Sequence, residues 1–237
     1  MGKLLHAEWY KLLHDKNFGA LSIAVVLFNM IMLSGTSVWD LSGQSALTES
    51  MKKEIATVLL ACIYGGISLG SDFADRTMYH GLLTGRSRSS VLIAKAIVFT
   101  AAANFLLFLF PFLLTLFCSL KNGWGKAIST GHLLHGTGVA GSLLLLGCAI
   151  SALPLLSAVC FRDIGRTIGI PVVLYFVMVL LLNSSHAAAW SKILPIGLLI
   201  LTADGTVPPA YGILAGALWF AWLTAISAFV FRRAELR

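Results

Sequence analysis

A few residues in this 237-residue chain have types and spacings that could do chemistry. His132 and His135 are three apart, so a helix would set both imidazoles on one face, as two metal ligands need. No third or fourth ligand of suitable type lies nearby, and a metal site needs three or four. The pair reads as an interfacial edge, and no metal site is expected. "GWGKAIS", Gly123–Ser129, resembles a phosphate loop only superficially, because Ala127 follows Lys126 where Ser or Thr is needed and the earlier glycine is missing. Cys62, Cys118, Cys148 and Cys160 have no C-x-x-C spacing and read as small buried hydrophobes. "NSS" at Asn183 matches a glycosylation acceptor, a three-residue match too weak to carry a function. No catalytic residue is expected, and the sequence reads as a non-enzyme.

The most polar stretch, "SDFADRTMYHGLLTGRSRSSVLIAK", runs from Ser71 to Lys95 between two apolar runs. Asp72, Asp75 and Arg76 could cap and charge a short helix through "RTMYHGLL", with Gly85 ending it at the position where left-handed backbone costs glycine least. Arg86 and Arg88 follow, and then an apolar run begins. Two readings stay open on these residues alone. One is a short helix offered to a partner; the other is a solvated basic loop that only enforces topology.

The elements that must hold such a segment come from composition. Hydrophobic residues make up 58% of the chain and charged residues 11%, against about 25% charged in soluble domains. Apolar runs approach or exceed the roughly 18–20 residues that cross a bilayer as helix. The sequence therefore predicts an all-α, multi-pass membrane protein forming a single transmembrane domain over residues 1–237. Its expected spans are Phe18–Val38, Ile55–Ser71, Val91–Ser119, His132–Phe161, Thr167–Leu182 and Tyr211–Phe231. No cleavable signal peptide is expected, since the first fifteen residues are polar and the first apolar run is span-length.

Topology follows from the cations. With six spans, twelve of the seventeen Lys and Arg fall on the side of both termini and five on the other, which predicts cytoplasmic termini by the positive-inside rule. The net charge of +7 is thereby a mark of topology, with no nucleic-acid partner expected. Trp39, Trp124 and Trp190 fall near outer span ends and Trp9 near the inner side, as an aromatic belt would place them.

Three further features shape the expected architecture. In "KLLHAEWYKLLHDKN", Leu5, Trp9, Leu12 and Leu13 share one helical face opposite Lys11, His14 and Asp15, which predicts an amphipathic helix in the inner interface. The third and fourth expected spans are long, the third measuring roughly 43 Å as helix against about 30 Å of hydrocarbon, so they must tilt, kink or project. Pro111 and Pro154 are candidate kink sites. Ile193–Leu201 is apolar but too short to span, so it either dips into the outer leaflet or packs on the bundle as a loop. Gly66–Gly70 and Gly212–Gly216 each make G-x-x-x-G inside a span, spacing that permits close helix contact within the chain or between copies.

What is missing also matters. Ionisable groups inside membranes mark proton or ion pathways, and the expected spans hold almost none. Asp72 sits at a span end, Glu54 at an outer start, and Asp40 and Asp204 in outer loops. That weighs against ion-coupled carriers and intramembrane enzymes.

The sequence Asp72-Phe73, Arg76-Thr77, Leu82-Leu83, Gly85 with Arg88, then Lys95 resembles the loop between the second and third spans of ABC-2 type permeases, the membrane subunits of type V ABC exporters. The family also has an amphipathic N-terminal helix, six spans with cytoplasmic ends and short re-entrant helices before the last span. The resemblance runs the full length, with the loop alone approaching a motif. It implies a coupling helix that docks on a separate ATPase through Asp72, Phe73, Asp75, Arg76, Thr77, Tyr79, Leu82, Leu83, Gly85, Arg86 and Arg88. It further implies two ATPase subunits, a second permease copy or paralogue, and a bacterial cytoplasmic membrane. ATP and magnesium would sit on the ATPase and no cofactor on this chain. The compact form is similar to antimicrobial-peptide resistance and bacteriocin immunity exporters, which implies a hydrophobic or amphipathic substrate, an antimicrobial peptide, for export. Where the family often has glutamate and Gly-Thr, this chain has Asp72 and Arg76-Thr77, which leaves the subfamily open. The reading from another class is a non-transporting membrane sensor or assembly subunit, which would have no ATPase partner.

Overall fold

The computed structural model describes residues 2–34, 36–52, 55–74, 87–125 and 130–233. Among these residues every regular element is a helix and none is a strand. The helices are α1 (Gly2–Leu13), α2 (Lys16–Leu33), α3 (Gly43–Lys52), α4 (Ile55–Gly65), α5 (Ser71–Ala74), α6 (Arg88–Asn122), α7 (Thr130–Phe161), α8 (Ile164–Leu182), α9 (Ala187–Trp190), α10 (Pro195–Ala203) and α11 (Pro209–Arg233). Six helical stretches among the described residues are long and apolar enough to cross a membrane: Lys16–Leu33, Thr57–Ala74, Ser90–Asn122, Gly136–Phe161, Ile164–Leu182 and Pro209–Phe231. The second of them is built from α4, a wide turn at Gly66–Gly70 and α5. The chain is a multi-pass membrane protein.

Local chemistry sets several helix starts. Asp15 accepts from the Asn17 amide at 2.9 Å to cap α2, and Asp163 accepts from the Arg166 amide at 3.0 Å to cap α8. Ser87 does the same for α6 through the Ser90 amide at 3.3 Å. Each such cap satisfies one of the orphan donors of a helix start. Between α7 and α8 the chain reverses at Arg162, whose φ of 54° is left-handed. The first span ends at Leu33, short of the expected Val38, because Ser37–Asp40 winds into a 3-10 turn.

α6 and α7 form the centre. α6 is 35 residues long, about 52 Å at the α-helical rise, and its helix continues through Pro111. α7 continues through Pro154 in the same way. One core cluster lines α6 against α1, α2, α4 and α5, and includes Tyr64, Phe99, Leu106 and Phe110. A second surrounds α7, with Leu146, Ile150, Tyr175 and Leu198.

Both glycine pairs are filled from within the chain. A Cβ on Gly66 would lie 2.1 Å from Ile168 Cγ1, and one on Gly70 would lie 3.0 Å from Ile164 Cα. On α11, a Cβ at Gly216 would lie 2.9 Å from the Leu145 carbonyl carbon and the Leu146 nitrogen. One at Gly212 would meet Ser142 Cβ at 3.0 Å. In each pair the close contact is with a neighbouring helix of the same chain.

The apolar segment before the last span is neither a loop nor turned away from the bundle. Its residues wind into α10, opened by Pro195, where the missing N–H costs nothing. Ile196, Leu198, Leu199 and Thr202 are buried, and the helix packs on α7, α11 and α3. At the same end, α3 lies along the close of α6, tied by Gly43 N–H to Gly123 O at 3.1 Å and Gln44 N–H to Trp124 O at 3.3 Å.

Candidate functional site

At the opposite end of the bundle, four charged side chains from three elements meet. Lys95 projects from the second turn of α6 and Asp72 from α5, at the close of the second span. Glu8 and Lys11 project from α1, three residues apart and so on adjoining turns of one face. Lys95 Nζ lies 2.5 Å from Asp72 Oδ2 and 2.9 Å from Glu8 Oε1. Lys11 Nζ lies 2.6 Å from Asp72 Oδ1. Each Asp72 oxygen thus accepts from a different lysine, and Lys95 donates to two carboxylates.

Burial grades the cluster. The Asp72 and Lys95 side chains are only 6% and 7% exposed, whereas Lys11 is 57% exposed. A buried carboxylate and ammonium each lose several kcal/mol of hydration, which their mutual attraction and hydrogen bonds must offset. Here each buried charge has at least two opposite-charge contacts, Asp72 with both lysines and Lys95 with both carboxylates. A cavity of about 160 Å³ borders the cluster, and Asp15, Tyr64 and Ser68 add to its polar wall.

The cluster also fixes α1. Leu12 is buried and Leu4 packs against the core beside it, on the helical stripe that carries Glu8 between them. Leu5, Trp9 and Leu13 remain exposed. The expected division of this helix therefore shifts: Lys11, on the face expected to be polar, reaches Asp72, and Leu12 leaves the apolar face of Leu5, Trp9 and Leu13 for the protein interior.

The residues expected to couple to a partner fall into two groups. Asp72 is in the cluster, and Phe73 is buried beside it with its ring edge-on to Phe231 of α11 at 6.1 Å. Asp75, Arg76, Thr77, Tyr79, Leu82, Leu83, Gly85 and Arg86 lie outside the described residues, and with them the expected coupling helix. Arg88 opens α6. Gly66, Gly70, Gly212 and Gly216 sit in the helix contacts described above, with Gly70 two residues from Asp72.

Sequence reasoning missed Lys11 and Lys95 as partners of Asp72, and Glu8 as the second partner of Lys95. One signal was present: Lys95 sits inside an apolar run, where a cation needs a counter-charge, and Asp72 is the acid at the facing end of the preceding span. Nothing in the spacing of Glu8 and Lys11 pointed to that pair.

Elsewhere, Asn29 and Thr57 join α2 to α4 through a buried hydrogen bond of 2.9 Å. Asn104 donates to Thr100 O at 2.8 Å. His132 and His135 fall near the start of α7, and the described residues contain no group of three or more metal-ligating side chains. All four cysteines are free thiols.

Compared with known proteins, the chain matches no protein-family model and no curated protein.

Proposed function

We propose that the chain is the membrane-spanning permease subunit of an ATP-driven exporter, in which residues 75–86 dock on a separate ATPase. The observation that carries this reading is the ionic tie between the two ends of that segment. Asp72 lies three residues before it and Lys95 nine after, and they meet directly in a buried pair that also holds α1. A force applied to residues 75–86 would reach the second span, the third span and the N-terminal helix through one cluster. A loop that only enforces topology needs cations and no such tie.

On this reading α1 lies in the inner interface with Leu5, Trp9 and Leu13 toward lipid, and both termini are cytoplasmic. ATP and magnesium belong to the ATPase, two copies of which serve two permeases. A hydrophobic or amphipathic peptide is the proposed cargo, and the host membrane that of a bacterium. These last assignments rest on the resemblance of the Asp72–Lys95 sequence to ABC-2 type permeases.

The test is gentle solubilisation of the protein from its native membrane, followed by identification of what travels with it. A stoichiometric subunit of ATPase size is expected. Tyr79→Ala and Arg88→Glu should lower its recovery or its stimulation of ATP turnover while the permease stays at normal level. Repeated absence of such a subunit would favour a sensor or assembly protein.

A further inference from the structure

The second span changes hydrogen-bond register just before Asp72. Gly66–Gly70 form a π-helical turn, and the Ser71 amide donates to Gly66 O, five residues back. In an α-helix that amide would donate to Ile67 O, four residues back. The Ile67 carbonyl so released is taken by the Ser71 hydroxyl, which also lies 3.4 Å from Ser68 O. Ser71 therefore serves both acceptors, one by its amide and one by its side chain.

Wide turns of this kind are rare and occur mostly as single turns within α-helices. Two sets of contacts hold this one. Toward α8, the glycine faces admit Ile168 and Ile164 so closely that a Cβ on Gly66 would overlap Ile168. On the far side of the turn, Asp72 is held by Lys95 and Lys11. A wide turn encloses one residue more than an α turn. Its return to α geometry would rotate everything beyond it by about 100° and advance it by about 1.5 Å. That rotation carries the Asp72 carboxylate away from Lys95.

We propose that Gly66–Gly70 is a register joint: the second span has two hydrogen-bond registers, and the Asp72 ion pairs with Lys95 and Lys11 select the wide one. The joint makes the end of the second span a part that turns, gated by the ionic cluster. It needs no ATPase, and its test uses neither ATP nor a partner.

Full-length protein in lipid nanodiscs, with both membrane faces accessible, gives two readouts. One is acylation of Lys95 by a water-soluble acetylating reagent, with Lys121 at the other end of the bundle as reference. The second readout is backbone hydrogen exchange over residues 57–74. Ser71→Ala removes the hydroxyl, so Ile67 O regains the amide and the α register gains. Lys95 acylation should then rise about tenfold or more while exchange at residues 66–71 slows. Ser71→Thr keeps the hydroxyl and should match the wild type. Deletion of Ser68 removes the extra residue without turning Asp72, so exchange should slow while Lys95 stays protected. A Ser71→Ala protein with unchanged Lys95 acylation overturns the joint. So does one in which acylation and exchange both accelerate, since that is local unfolding. If the variants do not insert, wild-type exchange decides. Amides 66–71 should exchange about tenfold faster than 57–65, and equal protection sinks the proposal.

Discussion

Lys95 and Asp72 are 23 positions apart in sequence, yet Lys95 Nζ and Asp72 Oδ2 are 2.5 Å apart and both side chains are buried. The pair joins the start of the third span to the end of the second, and Glu8 and Lys11 extend it to the N-terminal helix.

Removing one partner of a buried pair costs about 3–5 kcal/mol, whereas replacing both by apolar groups of similar volume is often neutral. Lys95→Met and Asp72→Asn are each expected to destabilise the protein toward that range, and Lys95→Met with Asp72→Leu to recover most of the loss. Equilibrium unfolding in detergent measures it. Single variants within about 0.5 kcal/mol of wild type would mean that the pair is not formed. Asp72 is consequently a poor probe of partner docking, since its loss disturbs the fold as well.

The exposed member of the cluster should matter least. An exposed ion pair contributes about 0–1 kcal/mol and is screened by salt. Lys11→Ala is therefore expected to change stability by less than Glu8→Gln, and its effect should vanish at high ionic strength. Proteolysis of α1 at low and high salt reads this directly. A Lys11→Ala effect as large as that of Lys95→Met would contradict the burial order.

α11 and α2 offer a matched pair of glycine substitutions, one packed and one open. At Gly216 a side chain would press on the Leu145–Leu146 backbone, and such overpacking costs about 1–3 kcal/mol. Gly19 in α2 has nothing within 4 Å of an added Cβ, and Ala there is expected to be neutral or stabilising by about 0.5–1 kcal/mol. Gly216→Val and Gly19→Ala, compared by thermal unfolding, should move in opposite directions. Movement of both in the same direction would remove the α7–α11 contact from the explanation.

α10 divides its own segment. Leu198 is fully buried while Ile193, just before the helix, is 51% exposed. Leu198→Ala should cost about 2–5 kcal/mol and Ile193→Ala under about 1 kcal/mol. Equal costs would return Pro195–Ala203 to a peripheral packing role.

Orientation has its own test. A thiol-labelling reagent that does not cross membranes should label Gln44→Cys and spare Lys3→Cys in intact cells, because both positions are exposed and the cation excess lies on the side of Lys3. The reverse pattern would invert the topology and, with it, the proposed docking of residues 75–86 to a cytoplasmic ATPase.

The six spans were legible because an apolar run of bilayer length has few alternatives to a helix in lipid, where every backbone group must be satisfied within the segment. The same reasoning put three span starts at Phe18, Val91 and Thr167, a few residues inside the helix starts that Asp15, Ser87 and Asp163 cap, and those caps were not read from the sequence. It also isolated Ser71–Lys95 as the polar segment between two spans, and found Ile193–Leu201 too short to cross.

What only tertiary structure decided were the relations across the chain. Glu8 meets Lys95 across 87 positions and Lys11 meets Asp72 across 61, and no local periodicity encodes which ammonium reaches which carboxylate. The buried face of α1 follows from that pairing: two charges dock the helix, so Leu12 turns inward while Leu5, Trp9 and Leu13 stay exposed. Gly66–Gly70 read as a packing motif because glycine spacing alone shows that something comes close. That the partner is Ile168 of the same chain, and that the turn is wide, depends on how α8 fits against the second span. Wide turns are rare, and glycine spacing carries no mark of one, so the contacts with Ile164 and Ile168 had to be seen first.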